Sequence, residues 1–160
     1  FETLAGEVRA EIIGEGLVRV RMPEPGDLRE NFVNSGVPHR IVPVDDLKGV
    51  DVEGEGRSIR YSDEFAPAGT NVDFVAYRVP HDVSIRTYER GVEAETGACG
   101  TGSVAAALVG VAQHGRRFPV AVHTVKGFEL VIDGTFDGGA FGSVTLTGPV
   151  ARVFDGEMEL

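Results

Sequence analysis

The sequence has 160 residues, a formal net charge of −10 and 42% hydrophobic residues, which fits one soluble globular domain. Acidic residues are scattered and no basic stripe is present, so nucleic acid is excluded as an expected partner. No apolar run approaches the roughly 20 residues that span a bilayer, so we expect no membrane partner. A single cysteine cannot form an internal disulfide, and with no signal peptide recognised we expect a reducing, cytoplasmic location.

The first half of the chain predicts short strands joined by turns. Alternating residues predict strands over residues 7–13 and 17–22, with Gly14-Glu15-Gly16 as the hairpin turn. Another strand is expected over residues 39–44. The next segment is predicted as one helical turn at 45–50, a loop of glycines and acids at 51–56 and an extended stretch at 58–61.

The second half predicts one long helix among further strands. The helix, at about residues 101–114, is apolar or small around its whole circumference, which indicates burial, and Gly115 supplies a left-handed C-terminal cap. The predicted strands are 71–79, 83–89, 120–125, 129–132 and 142–146, with 150–154 as a further candidate. Together these elements predict an α+β fold, a curved and mostly antiparallel sheet around one buried central helix.

Cys99, the only cysteine, lies in a glycine-rich turn at the start of this helix. The backbone N–H groups of Gly100, Thr101 and Gly102 can converge on an anion there, and the helix N-terminus is expected to lower the pKa of the thiol. The alternative for Cys99 is a small buried hydrophobic residue. Glu89-Arg90 can grip the ammonium and carboxylate of an amino acid, or can be a surface ion pair.

Several motifs in order resemble those of the diaminopimelate epimerase family. Residues 88–102 resemble the segment around the second cysteine of that family. Gly36-Val37-Pro38-His39 with the acidic pair after Val44, and residues 65–74, resemble two further segments. The closing segments 147–150 and 153–156 also agree, so the resemblance covers the chain from about Thr3 to its end.

The resemblance implies an epimerase that interconverts LL- and meso-diaminopimelate without a cofactor, a step towards lysine and peptidoglycan. In the family, two pseudo-symmetric lobes each supply one cysteine, and one thiolate removes the α-proton while the other thiol protonates the opposite face. By matching positions, Cys99 is the expected catalytic acid/base. The expected substrate-binding residues are Asn71, Glu89, Arg90, Gly100 and Thr101, with His39 in a supporting role.

Some positions depart from the family pattern. Val37 replaces an asparagine that contacts the distal part of the substrate, and one extra residue lies among Val92-Glu93-Ala94. The partner cysteine is not found in the sequence. We therefore expect residues 1–154 to be a C-terminal lobe, and residues 155–160 a tail that packs on a missing N-terminal lobe. Alone, such a lobe is expected to be inactive and to form a homodimer through its apolar cleft.

Two other functions remain open. Val37 favours a racemase or epimerase of another amino acid, such as proline or hydroxyproline. A non-catalytic module that binds an anion at the glycine turn is the alternative from a different class. No metal is expected, because the four histidines show no metal-ligand spacing with Cys99.

Overall fold

The fold is an α+β half-barrel, seen in a computed structural model that describes residues 2–3 and 6–157. Its helices are α1 (Val52–Arg60) and α2 (Gly100–Gln113), with a short 3-10 turn at Asp63–Phe65. The strands are β1 (Glu2–Thr3), β2 (Gly6–Glu7), β3 (Arg9–Gly14), β4 (Leu17–Arg21), β5 (Gly26–Arg29), β6 (Phe32–Asn34), β7 (Pro38–Pro43), β8 (Asn71–Val79), β9 (Asp82–Glu89), β10 (Ala94–Thr96), β11 (Val120–Thr124), β12 (Glu129–Asp137) and β13 (Ala140–Pro149).

One large sheet curves around α2, as the sequence predicts. Its strand order is β3-β4-β13-β12-β11-β9-β8-β7-β6-β5, with β10 added beside β9. The pairs β7–β8 and β9–β11 are parallel, and the other pairs in this sheet are antiparallel. The strands β1 and β2 form a separate small pair.

Helix α2 is the centre of the core. All residues from Gly102 to Gly110 are buried, and α2 packs against β6, β7, β8, β9, β11 and β12. Gly110 has no side chain where Tyr77 and Arg116 approach, since a Cβ there would lie 2.8 Å from both. Gly115 has a φ of +66°, which confirms the predicted left-handed cap.

Strand β8 is covered on both faces, because successive side chains point to opposite sides of a sheet. Val72 and Phe74 pack with Val52 of α1, whereas Val75 belongs to the core around α2. Asp73 points to the same side as Val75, towards α2, so its position in the strand places a carboxylate in the core.

The predictions of a loop at 51–56 and an extended stretch at 58–61 are wrong. This segment forms α1, where Asp51 caps the helix by accepting the Gly54 N–H at 3.0 Å. Two glycines give this helix low intrinsic propensity, which explains the wrong prediction. Gly56 is needed for packing, because a Cβ there would lie 2.5 Å from the Cβ of Tyr88.

Other boundaries also differ from prediction. Residues 45–50 form turns and no helix, and the candidate strand at 150–154 is coil. Strands β5, β6 and β10 were not predicted, because each has only three or four residues. Residues 155–157 of the predicted tail are exposed coil, and its remainder lies outside the described residues. Within the described part of the chain, no helix has the length and apolar character needed to cross a membrane.

Candidate active site

Cys99 is the N-cap residue of α2. Its sulfur accepts the Gly102 N–H at 3.4 Å and lies 3.5 Å from Oγ1 of Thr101. Cys99 is 9% exposed, and its backbone carbonyl accepts both the N–H and the hydroxyl of Ser103 at 2.9 Å. The thiol is therefore fixed at the point where the first N–H groups of a helix lack intrahelical acceptors.

The hydroxyl of Thr101 continues inward to a buried pair of ionisable side chains. Nε2 of His39 lies 3.0 Å from Oγ1 of Thr101, and Nδ1 of His39 lies 2.7 Å from Oδ2 of Asp73. The other carboxylate oxygen of Asp73 accepts the Thr87 hydroxyl at 2.7 Å. Neither His39 nor Asp73 is exposed to solvent. His39, which was expected in a supporting role, thus links Thr101 to Asp73.

Asp73 and Thr87 were missed by the sequence analysis. One signal was available, since Asp73 is a charged residue inside the buried run from Asn71 to Ala76. A buried carboxylate needs hydrogen-bond donors, so this position implied partners in the core. The glycine at 102 makes room for it, since a Cβ at Gly102 would lie 2.6 Å from Oδ1 of Asp73.

The thiol has a higher pKa than the sequence predicts. Burial raises the pKa of Cys99 to about 11, and the negative charges of Asp73 and Glu89 add to that effect. The hydrogen bonds of Cys99 with the Thr101 hydroxyl and with the Gly102 N–H lower the pKa of the thiol but do not compensate for burial. The expectation of a lowered pKa is therefore wrong for this chain as it stands, because desolvation outweighs the helix N-terminus. At neutral pH the thiol is protonated and can serve as a proton donor.

Glu89, Arg90 and Asn71 lie at the end of β9 and the start of β8. The Asn71 amide is 3% exposed, donates to the Pro38 carbonyl at 3.0 Å and accepts the Arg90 N–H at 2.9 Å. The guanidinium of Arg90 is 3.4 Å from the Gly69 carbonyl. Asn71 thus ties Arg90 to the residue preceding His39.

The turn after Arg90 contains the extra residue noted in the sequence. Glu93 has a φ of +61°, and its carboxylate accepts the Gly91 N–H and two N–H groups of Arg60 at 3.0 to 3.3 Å. These contacts fasten the turn to α1. They hold the segment that carries Glu89 and Arg90.

A cavity of about 670 Å³ opens beside Thr101. Val37 lies on its wall together with apolar residues from β4 and the following loop, and Arg21 and Glu24 also line it. Val37 is half-buried, so its apolar side chain contributes to the cavity surface. Among the described residues, no group of three or more His, Cys, Asp or Glu side chains is arranged to hold a metal.

Solved structures of two other proteins share the fold of this chain. A probable proline racemase from Agrobacterium radiobacter matches with a TM-score of 0.63 and 19% identity, covering 92% of this chain and 56% of that one. A hydroxyproline epimerase from Agrobacterium vitis gives a TM-score of 0.60 at 20% identity, with the same two coverages of 92% and 56%.

Sequence comparison then identifies the family: the chain belongs to the diaminopimelate epimerase family, whose model matches residues 31–153. The diaminopimelate epimerase of Aquifex aeolicus is 42% identical over 99% of this chain and 61% of its own length. The diaminopimelate epimerase of a Hydrogenobaculum species is 42% identical over 98% of this chain and 60% of its own length. The chain thus spans about three fifths of the length of these relatives.

Proposed function

We propose that Cys99 is one of two acid/base cysteines in an enzyme that interconverts LL- and meso-diaminopimelate. One group takes the α-proton, so that the C–H bond breaks and a new bond to hydrogen forms on the base. A thiol on the opposite face then donates its proton to the carbanion. With its raised pKa, Cys99 enters this cycle as the proton donor.

The position of Cys99 at the N-terminus of α2 is the observation that carries this proposal. The N–H groups of Gly100 and Thr101 are in the first turn, where a substrate carboxylate can accept them. Loss of the α-proton places negative charge beside that carboxylate, so fixed N–H dipoles stabilise the transition state more than the substrate. Glu89 and Arg90 lie on the adjacent turn and are proposed to bind the ammonium and carboxylate groups.

The second acid/base group must come from elsewhere, because this sequence contains one cysteine. We propose that it belongs to a lobe in the part of the relatives that this chain does not match. Without that lobe, we expect the chain not to invert the α-carbon of diaminopimelate, because no second group is present to protonate the opposite face. The apolar wall of the cavity is then exposed, and the chain is expected to dimerise through it.

Val37 is the observation that favours a second substrate class. A diaminopimelate molecule has an amino acid group at each end, and a polar residue suits its distal end better than valine does. Proline or hydroxyproline has no such second group. Turnover of both substrate classes by one protein preparation distinguishes these functions.

The experiment uses the whole protein, including the segment that supplies the second lobe. In D₂O, LL-diaminopimelate is expected to gain α-deuterium and meso product, and proline is expected to remain unlabelled. Cys99→Ala should abolish the inversion, whereas Ser58→Ala, on the exposed face of α1, should leave it unchanged. Full activity of Cys99→Ala would exclude the proposed role and favour a module that only binds an anion.

A further inference from the structure

The turn at residues 90–93, which joins β9 to β10, is closed by the last of its own side chains. The backbone N–H of Glu93 donates to the Glu89 carbonyl at 2.8 Å. Oε1 of Glu93 accepts the Gly91 N–H at 3.0 Å, and Oε2 lies 3.4 Å from the Tyr88 hydroxyl. The carboxylate of Glu93 is therefore folded back over the turn that begins with Arg90.

Arg60, the last residue of α1, binds the same carboxylate. Its Nε and Nη2 donate to Oε1 of Glu93 at 3.3 and 3.0 Å, and its Nη1 donates to the Ala68 carbonyl at 3.2 Å. The hydrogen bond from the Gly91 N–H, with the Arg60 guanidinium, holds the pKa of Glu93 below its usual range. Glu93 is thus an ionised partner for Arg60 at neutral pH, and it ties the turn to α1.

The loop at Ala68 and Gly69 brings a second guanidinium to the same place. Nη1 of Arg90 lies 3.5 Å from the Ala68 carbonyl and 3.4 Å from the Gly69 carbonyl. Arg60 and Arg90 therefore share one carbonyl, but Glu93 pairs with Arg60 alone. No carboxylate of residues 8–157 forms an ion pair with Arg90. The charge of Arg90 is held in place by neutral carbonyl groups, which leaves it available to an anionic ligand.

The strand that follows the turn is fixed independently of Glu93. The Glu95 N–H donates to the carboxylate of Glu53 on α1 at 2.8 Å. The carboxylate of Glu95 accepts two N–H groups of Arg86, both at 2.7 Å. Loss of the Glu93 side chain therefore leaves β10 bound at both its backbone and its side chain. Its effect is expected to be confined to residues 90–93.

We propose that Glu93, through Arg60, is a positioning residue that keeps the Arg90 guanidinium directed at the substrate carboxylate. Without Glu93 the turn loses the acceptor of the Gly91 N–H and its bond to α1, and Arg60 loses the charge that balances its own. Arg90 is then no longer held over the Gly69 carbonyl. This inference deepens the proposed function, since it rests on Arg90 binding a carboxylate of the substrate.

The expected effect is on substrate binding, because a carboxylate that takes no part in proton transfer is bound equally in the ground state and the transition state. The test is the steady-state rate of LL-diaminopimelate epimerisation by the whole protein, including the segment that supplies the second lobe. Glu93→Ala should raise KM about fivefold or more and change kcat less than about twofold. Glu93→Gln keeps an acceptor oxygen for the Gly91 N–H, so it should raise KM less than Glu93→Ala does.

Glu55→Ala is the matched control, because it removes an exposed carboxylate from α1 and should leave both constants unchanged. A merely structural role for Glu93 would reduce the folded fraction, which lowers kcat and leaves KM as it is. An unchanged KM in Glu93→Ala would therefore overturn the proposal.

A second variant covers the case in which Glu93→Ala is unfolded by circular dichroism. Arg60→Lys keeps the positive charge but has no planar fork to bind Glu93 and the Ala68 carbonyl together, so its KM should also rise. A KM equal to that of the unmodified protein would overturn the proposal. If the unmodified protein does not turn over LL-diaminopimelate, the proposed function fails and this role with it, whereas turnover with unchanged KM removes this role alone.

Discussion

Nδ1 of His39 and Oδ2 of Asp73 are 2.7 Å apart, and both side chains are completely buried. The two residues lie on neighbouring parallel strands, so their contact is set by the register in which His39 pairs with Asn71. A buried carboxylate with two donors stabilises the fold only while both donors are present.

Replacement of Asp73 by alanine is expected to destabilise the chain. It leaves His39 and the Thr87 hydroxyl without their acceptor, at a cost of about 3 kcal/mol in the free energy of unfolding. Urea denaturation measures the loss. Asp137→Ala, at the exposed end of a hairpin, is the control and should change stability by less than about 0.5 kcal/mol. Equal midpoints for the two variants would contradict the structural role of Asp73.

The raised pKa of Cys99 predicts a loss of stability at alkaline pH. The thiol pKa is about 11 in the folded chain against 9.0 for an ordinary thiol. Its contribution is therefore fully present below pH 9, because both states are protonated there. As pH rises towards 11 the unfolded chain loses this proton first, so stability falls by about 1.4 kcal/mol per pH unit.

Cys99→Ala isolates this effect, because Tyr77, whose pKa burial also raises, is present in both proteins. The difference in unfolding free energy between the unmodified chain and Cys99→Ala should shrink as pH rises from 9 to 11. A difference that stays constant over this range would show that the folded thiol has an ordinary pKa.

Gly56 is expected to resist substitution although it lies in a helix. Alanine gains about 1 kcal/mol in helix propensity over glycine, but its Cβ would press on Tyr88 and separate α1 from β9. We expect Gly56→Ala to lower the free energy of unfolding by about 1 to 3 kcal/mol. Gly49→Ala is the matched control, since no atom lies within 4 Å of the added Cβ. Thermal unfolding of the two variants gives the comparison.

Asn71 is expected to stabilise the fold whether or not it contacts substrate. Asn71→Ala removes the acceptor of the Arg90 N–H and the donor to the Pro38 carbonyl, which costs about 1 to 3 kcal/mol. Asn34→Ala, which loses only the local bond to the Gly36 N–H, should cost less. If Asn71→Ala and the unmodified chain unfold at the same urea concentration, the bridge carries no stability and substrate binding is the remaining role.

The sequence predicted α2 and the adjacent strands because their apolar patterns are long and regular. It failed for α1, where two glycines conceal a helix that forms through its cap and its packing on Tyr88. It also failed at 150–154, since Val150 bonds to the carbonyl of Gly16, immediately before β4 begins. Residues 15 and 16 form the turn that precedes β4, so β4 offers no further residues with which 150–154 could pair.

The position of Cys99 was evident from its glycine turn, but its surroundings were not. The pairing of His39 with Asp73 depends on a parallel register between distant segments, which no local pattern encodes. The pKa of the thiol was predicted with the wrong sign chiefly because its burial raises it, and the Asp73 charge adds to that effect. The sequence predicted the N-terminus of α2, but it did not predict that the Asp73 carboxylate would lie beside the first turn of that helix.

The side chains that join Cys99 to Asp73 come from segments far apart in the chain, and His39 and Thr101 are separated by 62 positions. Because such contacts require long loops to close, we expect them to form late in folding. A partly folded chain can therefore contain α2 and its cysteine without the contacts among Thr101, His39 and Asp73. We therefore expect the thiol to keep an ordinary pKa in a partly folded chain and to acquire its raised pKa only when the sheet has closed around α2.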